Sequence, residues 1–201
     1  ILLLLVGAAA DDQLGRVAEG RVEQRVEPAR EVVALVALAA DGALIAAGQP
    51  LDIGPVGSRA LMSLRVEKGY GSWGRDYSPE YWPQETGLGG LVKLDKRFLN
   101  RDACAEVMQR PPRELLRSLS IEATDADATG SEPIFDLQGR PAGRVSSGAY
   151  GYHVGQSLAL AYLRPDIAAG TALEVMILGR PHRAVVLAGP AFDAEGHRLR
   201  Q

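Results

Sequence analysis

The chain contains 201 residues, of which 46% are hydrophobic and 23% are charged, and its formal net charge is −3. This composition is typical of a globular protein and excludes an acidic disordered tail. The 22 Lys and Arg residues do not exceed the 25 Asp and Glu residues, so we expect no nucleic-acid partner.

The first residues, Ile1–Val6, form an apolar run that predicts a buried strand. No basic region precedes the run, as a secretory signal requires, and Asp11 ends it well short of the ~20 apolar residues that a membrane span needs. We therefore expect no membrane association. A strand that starts at the first residue suggests that upstream sequence is missing. Val32–Leu38 predicts a second strand, rich in β-branched residues.

The next predicted element is a helix over Val56–Lys68, in which Val56, Ala60, Leu61 and Leu64 give an apolar stripe. Pro55 stands where a first helical turn tolerates proline, and Gly69 stands where helices end. The content of Gly, Ser and Pro predicts a loop over Tyr70–Trp82.

Two shorter elements follow before the pattern changes. Leu88–Leu94 predicts a strand, and Arg101–Arg110 predicts a short helix that Pro111 and Pro112 end. From Arg113 onward, short apolar segments separated by glycine turns predict an antiparallel barrel or sandwich. These segments are Leu115–Glu122, Gly143–Ser147, Ser157–Leu163, Ala172–Leu178 and Arg183–Ala188.

The predicted fold class is therefore α+β, with a mixed α/β domain followed by a small antiparallel β-barrel. We place the boundary near Pro111 and Pro112, which gives domains over residues 1–111 and 112–201.

Common catalytic and metal-binding motifs are missing from the sequence. It contains no phosphate-binding GxxxxGK[ST], no HExxH and no GxSxG motif, and its three histidines are scattered. Cys104 is the only cysteine, which predicts neither a disulfide nor a multi-cysteine metal site and favours a reducing compartment. We expect Cys104 to be a packing thiol, and we assign no metal ligand and no catalytic residue.

Aromatic residues are concentrated in one loop. Five of the eleven in the chain fall within thirteen residues: Tyr70, Trp73, Tyr77, Tyr81 and Trp82. Aromatic side chains on a loop suit the stacking of a planar heterocycle, but they would equally plug a seam between two domains. A second pair, Tyr150 and Tyr152, lies in the segment GAYGY, where hairpin packing is an equal alternative to a ligand site.

Two segments carry a resemblance to a known family. Gly57–Glu80 (GSRALMSLRVEKGYGSWGRDYSPE) resembles the pattern RALxSLRLEKGYxxWGxDxxPE of aminomethyltransferase-type folate proteins, and Leu94-Asp95-Lys96 continues it. Arg140–Leu163 resembles the GxVTSGxYGYTxGKSIALAYV segment of their C-terminal barrel. The form with Lys-Gly-Tyr and Trp-Gly is nearer the folate module of dimethylglycine and sarcosine dehydrogenases than the glycine-cleavage T-protein.

The first 47 residues depart from the family pattern. The acidic residue that the family holds against the pterin would lie before Ile1, and Gly7 stands where the T-protein pattern has a folate-contacting Asn. After Asp41 the chain also lacks a long stretch with a Gly-Tyr-Glu motif. Either this protein lost that stretch or the sequence is a partial record.

The resemblance implies a function in one-carbon metabolism. A transferase of this kind passes a one-carbon unit from an N-methyl amine or aminomethyl donor to tetrahydrofolate, giving 5,10-methylenetetrahydrofolate. In the fused dehydrogenases FAD oxidises the amine, so FAD would lie on a separate domain or subunit. The implied partners are folate, a small amine donor and a flavin-dependent oxidoreductase, in a bacterial cytoplasm or, in a eukaryote, the mitochondrial matrix.

The resemblance and the aromatic pattern together nominate cofactor-binding residues. Tyr70 matches a folate-lining position and Trp73 extends the same wall, while Tyr150 and Tyr152 would cover its far side. Arg65 and Glu67 lie on the helix just before the loop, either as ligand contacts or as part of a helix surface or an ion pair that anchors the loop. Arg75 and Asp76 would then fix the loop itself. The alternative to an enzyme is a structural module of the same fold with a decayed folate site.

Overall fold

The computed structural model describes residues 3–4, 42–51 and 55–200, and these divide between two compact units, Ile1–Leu61 and Met62–Gln201. The predicted strand Val32–Leu38 and most of the run Ile1–Val6 lie outside the described residues. Within the described residues, no helix is both long enough and apolar enough to cross a membrane. The domain boundary near Pro111 and Pro112 stays a prediction.

The first unit contains a small antiparallel pair and a helical segment. Strand β1 (Leu3–Leu4) pairs with β2 (Pro55–Val56), with Leu3 opposite Val56. Residues 42–48 are helical and lead into a 3₁₀ turn at Gln49–Leu51. The predicted helix start at Val56 is wrong, because Pro55 and Val56 take extended backbone in β2.

Helix α1 (Ser58–Glu67) is the predicted helix, shortened at both ends. Gly69 follows it with φ +70°, a left-handed conformation that glycine adopts without strain. The buried face of α1 carries Ser63, Val66 and Glu67, whereas Leu64 of the predicted apolar stripe is 53% exposed. The apolar stripe is therefore not the buried face of α1.

Residues 70–114, which belong to the second unit, contain little regular structure. The strand predicted at Leu88–Leu94 is wrong: Gly87 has φ +78°, and the chain then turns through a 3₁₀ helix at Gly89–Leu91. Helix α2 (Arg101–Met108) confirms the second predicted helix, two residues shorter than expected.

The predicted antiparallel barrel is present and closed. Its strands are β3 (Leu115–Ile121), β4 (Pro133–Asp136), β5 (Pro141–Gly151), β6 (Gln156–Leu163), β7 (Ala172–Ile177) and β8 (Arg180–Val186). They are arranged in the order β3-β6-β5-β4-β7-β8, and pairing of β3 with β8 closes the barrel. The sequence did not predict β4, which has only four residues and begins with proline.

Alternating side chains fill the barrel interior, as period-two strands require. Leu119 and Ile121 of β3 face Ala159 and Ser157 of β6, and the apolar interior continues around the remaining strands. Part of the outer face of β5 and β6 is also buried, where the end of α1 and residues 70–81 contact it.

Candidate functional site

The carboxylate of Asp76 holds the aromatic loop on the barrel. Its side chain is fully buried and accepts hydrogen bonds from Arg65 Nη1 (2.8 Å), the Ser72 amide (2.8 Å), Ser146 Oγ (2.6 Å) and Ser147 Oγ (3.0 Å). One side chain thereby joins the end of α1, the loop and strand β5. The four donors satisfy the hydrogen-bonding capacity of a carboxylate that is removed from water.

Arg65 is a central partner of Asp76. The contacts of Asp76, together with those of Glu67, Tyr162 and Glu85 described below, form what we call the frame. The Arg65 side chain is only 11% exposed and donates to Asp76, to Ser147 Oγ (2.7 Å) and to the Tyr70 carbonyl (3.2 Å). These contacts correspond to the anchoring alternative for Arg65, because they direct the guanidinium at the chain's own loop.

Glu67, like Arg65, is buried and bonded to other groups of the chain. It is 1% exposed and accepts hydrogen bonds from the amides of His153 (2.7 Å) and Val154 (3.3 Å). A Cβ atom at Gly151 would lie 2.8 Å from the Leu158 and Val154 side chains and 2.9 Å from Glu67 Oε1, so a larger residue would displace these side chains. Glu67 thus links the β5–β6 hairpin to α1 through hydrogen bonds.

Two stacked tyrosines extend the frame beyond Asp76. The rings of Tyr81 and Tyr162 lie 3.7 Å apart and nearly parallel, at 9°. The Tyr162 hydroxyl donates to the Asp76 carbonyl (2.5 Å), and burial, followed by the negative charge of Asp76, raises the pKa of Tyr162. Arg144 lies over both rings and pairs with Glu114 at 3.0 Å.

Glu85 fixes the far end of the aromatic segment. It is fully buried and accepts bonds from Arg113 Nη2 (2.7 Å), Arg113 Nε (2.9 Å) and the amides of Trp82 and Arg113 (both 2.9 Å). The hydrogen bonds from Arg113 above all, opposed by desolvation, lower the pKa of Glu85 to about 2. The Arg113 guanidinium also lies 4.7 Å from the centroid of the Trp82 ring.

The frame leaves two aromatic side chains of the loop in solvent. Tyr70 is 54% exposed and Trp73 is 75% exposed. The glycines that flank Tyr70 are required by close packing, since a Cβ at Gly69 would meet Pro190 at 2.9 Å and a Cβ at Gly71 would meet the Tyr77 ring at 2.3 Å. The two glycines therefore allow the backbone to pack closely on both sides of Tyr70, whose side chain stays on the surface.

A cleft of about 480 Å³ lies beside this loop. Its lining includes Tyr70 and Tyr77 from the loop, Arg117 from β3, and Pro190 and Arg200 from the C-terminal segment. Lys68 holds that segment in place through Asp193, with Nζ 3.0 Å from Oδ2. A cleft of this volume, with mixed aromatic and polar lining, suits a small-molecule ligand.

Tyr150 and Tyr152 do not join this cleft. A bulge between Val145 and Ser147 sets the alternation of β5, so that Ser147 and Gly151 face α1 while Tyr150 points to the opposite side of the strand. The rings of Tyr150 and Tyr152 instead pack edge to face, 5.1 Å apart, at one end of the barrel.

Several residues of the frame were missed by the sequence analysis. Asp76 was expected to fix the loop, and it does so through the Ser72 amide, but its contacts with β5 and the roles of Glu85, Arg113 and Tyr162 were not predicted. The contacts of Arg113 with Glu85, of Ser146 with Asp76 and of Tyr162 with Asp76 join residues 28, 70 and 86 positions apart, so no local spacing signals them. In the part of the chain that the structure describes, no group of three or more His, Cys, Asp or Glu side chains is placed to hold a metal ion.

Comparison with known families identifies both parts of the chain. Residues 36–96 match the GCVT N-terminal domain, and residues 115–193 match the glycine cleavage T-protein C-terminal barrel domain. The crystal structure of glycine cleavage system aminomethyltransferase T from Bartonella henselae superposes with a TM-score of 0.61 at 25% identity, covering 67% of this chain and 38% of that one.

Curated relatives include larger enzymes. The chain is 32% identical to mouse (Mus musculus) dimethylglycine dehydrogenase over 160 residues, which is 78% of this chain and 18% of that protein. It is 35% identical to 4-methylaminobutanoate oxidase (formaldehyde-forming) of Paenarthrobacter nicotinovorans, over 79% of this chain and 19% of the oxidase. It is 34% identical to the aminomethyltransferase of Frankia alni, over 74% and 40% of the two chains.

The chain therefore spans about a fifth of the oxidoreductases and two fifths of the transferase that it matches. The two family matches, the closed barrel and the motif around Tyr70 agree. The chain belongs to the aminomethyltransferase (glycine cleavage T-protein) family.

Proposed function

We propose that this chain is a tetrahydrofolate-binding, aminomethyltransferase-like module that delivers a one-carbon unit from an N-methyl amine or aminomethyl donor to form 5,10-methylenetetrahydrofolate. The observation that carries the proposal is the presentation of Tyr70 and Trp73. Buried ion pairs and hydrogen bonds fix the backbone of the loop, yet both rings stay exposed, and Tyr70 lines the cleft. Exposed aromatic rings on a rigid support are suited to stacking against a planar pterin.

The residues present fit one wall of a folate site. When bound, tetrahydrofolate would supply the nitrogen that accepts the one-carbon unit. Tyr70 and Trp73 would hold the ring system, and Arg65 would act on the ligand indirectly by fixing the Tyr70 carbonyl. The buried carboxylates near the loop, Glu67, Asp76 and Glu85, are all engaged internally, so a carboxylate that contacts the pterin would have to come from elsewhere in the protein.

The relatives favour a larger flavin-dependent enzyme. Two of them are named as a dehydrogenase and an oxidase of methylated amines, and the chain matches less than a fifth of each. We place FAD and the oxidation of an amine such as dimethylglycine or sarcosine on a separate domain or subunit, in the bacterial cytoplasm or the mitochondrial matrix. The gap between the two family matches, residues 97–114, supports a domain boundary near Pro111.

The proposal is tested by tetrahydrofolate binding to the full-length protein. Tyr70→Ala should weaken binding by roughly tenfold or more, because base-on-aromatic stacking contributes about 1–3 kcal/mol. Tyr70→Phe separates the ring from the hydroxyl and should retain most of the affinity. Tyr152→Ala is the control, since Tyr152 is also exposed, at 81% against 54% for Tyr70, but does not line the cleft. Unchanged affinity in Tyr70→Ala would exclude this wall as the folate site.

A second candidate function is a structural module whose ligand site has decayed. The complete burial of Glu67 and the engagement of Arg65 within the fold favour it, because neither side chain is free for a ligand. Absence of any tetrahydrofolate binding by the full-length protein, with an intact fold, would select this alternative.

A further inference from the structure

A cavity of about 760 Å³ lies at the end of the barrel where β5 turns into β6, and it shares no lining residue with the cleft beside Tyr70. Three of its lining side chains form a row across neighbouring strands, because Ser157 of β6 lies opposite both Ile121 of β3 and Tyr150 of β5. Cross-strand partners direct their side chains to the same face of a sheet. The three side chains therefore lie together at one end of the barrel interior.

Ser157 brings a polar atom without a partner to this cavity. Its side chain is 2% exposed, and Ser157 Oγ forms no hydrogen bond with any residue that the structure describes. Its neighbours on the interior face, Ile121 and Ala159, are apolar and offer none. A buried hydroxyl that lacks a partner is costly, so this Oγ is a hydrogen-bonding group available to a ligand.

The exposed part of the cavity lining carries negative charge. Glu122, Asp125 and Asp127 are exposed and line the cavity, and none of the described lining residues is basic. Arg180 lies 3.6 Å from Asp125, whereas Glu122 and Asp127 form no ion pair within the described ranges of the chain. A ligand that enters the cavity therefore meets two carboxylates without a counter-ion, and these favour a positive charge on the ligand.

An organic cation fits this lining better than a metal ion. Among the described residues, His, Cys, Asp and Glu side chains form no group of three that could hold a metal. The Tyr150 ring adds an aromatic face, to which an ammonium group is attracted, and Tyr152 packs edge to face against it at 5.1 Å. An ammonium group also has the N–H donors that Ser157 Oγ can accept.

We propose that this cavity binds a small aliphatic diamine, with one ammonium group at Ser157 and Tyr150 and the other at the exposed carboxylates. A diamine has two separated positive charges, which match an acceptor inside the cavity and carboxylates at its exposed part. The apolar chain between the two charges would lie against Ile121, which is 5% exposed. The site is independent of the proposed tetrahydrofolate function, and it gives Tyr150 a ligand other than folate.

The test measures binding of putrescine (butane-1,4-diamine) and of its neutral analogue butane-1,4-diol to the full-length protein by isothermal titration calorimetry. Putrescine should bind at least tenfold more tightly than the diol, and added salt should weaken its binding because screening acts on exposed charges. Glu122→Gln and Asp127→Asn should each weaken putrescine binding by about threefold, as expected for exposed charge pairs. Asp102→Asn is the matched control, because Asp102 is 97% exposed but lines no part of the cavity.

Ser157→Ala tests the contact inside the cavity. Because Ser157 Oγ has no hydrogen-bond partner among the described residues, its removal should leave the urea midpoint of the protein unchanged or raise it. The same substitution should weaken putrescine binding by about fivefold, because the inner ammonium group loses its acceptor. A side chain with a merely structural role would not change ligand affinity at constant stability.

Equal affinity for putrescine and the diol would overturn the inference, as would no binding of putrescine at all. Putrescine binding that Ser157→Ala leaves unchanged, or that Asp102→Asn weakens as much as Asp127→Asn does, would also refute it, because the diamine would then bind to surface charge rather than in the cavity. None of these results would affect the proposed tetrahydrofolate function, since the cavity and the cleft share no lining residue.

Discussion

The barrel and the segment that covers it are ordered by opposite kinds of interaction. The interior of the barrel is dominated by a cluster of fifteen buried hydrophobic residues, with Ser157 as a buried polar residue beside them. Along residues 68–114 the buried residues are Asp76, Glu85 and Thr86, and all three are polar. The barrel is thus held by the removal of apolar surface from water, and the covering segment by hydrogen bonds to buried carboxylates.

The difference explains how the loop can expose its aromatic residues. A loop ordered by its own apolar side chains would have to bury Tyr70 and Trp73. Because Asp76 and Glu85 fix the backbone instead, these rings stay available, at 54% and 75% exposure. The stability of the loop therefore depends on the charges of Asp76 and Glu85, since a buried charge that loses its partner is costly.

The largest expected effect follows from removing the carboxylate of Asp76. Asp76→Ala would leave the guanidinium of Arg65, 11% exposed, without its counter-ion, at a cost of about 3–5 kcal/mol to the covering segment. Hydrogen–deuterium exchange of the full-length protein should show greatly increased exchange over residues 70–82, with much smaller changes in the barrel strands.

Asp76→Asn serves as the control for that change, because the amide oxygen keeps one acceptor and the side chain keeps its size. We expect an intermediate increase in exchange over residues 70–82. If Asp76→Ala exchanges like the wild-type protein in this segment, the carboxylate is not what orders the loop, and the contrast with the barrel fails.

A smaller effect is expected from pH through Glu85. Because the folded pKa of about 2 lies below the ordinary value of 4.5, the unfolded segment takes up a proton first as the pH falls. The stabilisation is at most about 3 kcal/mol, because solvent screens the 55% exposed Arg113. It is complete above about pH 4.5 and is lost progressively between about pH 4.5 and 2. Urea unfolding followed through the ¹⁹F signal of 5-fluorotryptophan at Trp82, which lies beside Arg113, measures it.

Glu85→Gln should be less stable at neutral pH and should remove most of this dependence at Trp82. A wild-type protein whose Trp82 signal has the same urea midpoint at pH 6 and pH 3 would show that the ion pair with Arg113 contributes nothing net. The titration of Asp136, Asp166 and Asp193, whose pKa values are also lowered, makes the variant comparison necessary.

The contrast also explains how much of the molecule the sequence could predict. Five of the six barrel strands were predicted, because burial of one strand face leaves a periodic apolar pattern in the sequence. The short strand β4 was not predicted. The covering segment has no such pattern: Leu88–Leu94 looked like a strand although turns at Gly87 and Gly89–Leu91 break it. Pairings such as Glu85 with Arg113 depend on the fold, and a charged residue reads from sequence as exposed.

The same limit applies to the candidate site residues. Tyr70 and Trp73 are exposed on the loop as the motif suggested, and Tyr70 lines the cleft. Arg65 and Glu67 lie within hydrogen-bond range of the chain's own groups, which spacing along α1 could not indicate. Tyr150 points away from α1 because of a bulge at Val145–Ser147, and a one-residue shift of register is invisible in the sequence.

The smallest effect on stability is expected from substitution of Trp73. The same substitution also tests whether the exposed rings are separate from the frame that orders the loop. The Trp73 side chain is 75% exposed, and its pairing with Tyr77 is a backbone bridge that alanine retains. Trp73→Ala should therefore change the stability of the loop by less than about 0.5 kcal/mol while it weakens tetrahydrofolate binding. Exchange over residues 70–82 and ligand affinity, measured on the same protein, distinguish the two roles. If exchange rises as far as in Asp76→Ala, the Trp73 ring is part of the frame. In that case the loop is ordered partly by apolar contact, as the barrel is, and the aromatic rings are not held ready for a ligand by charge alone.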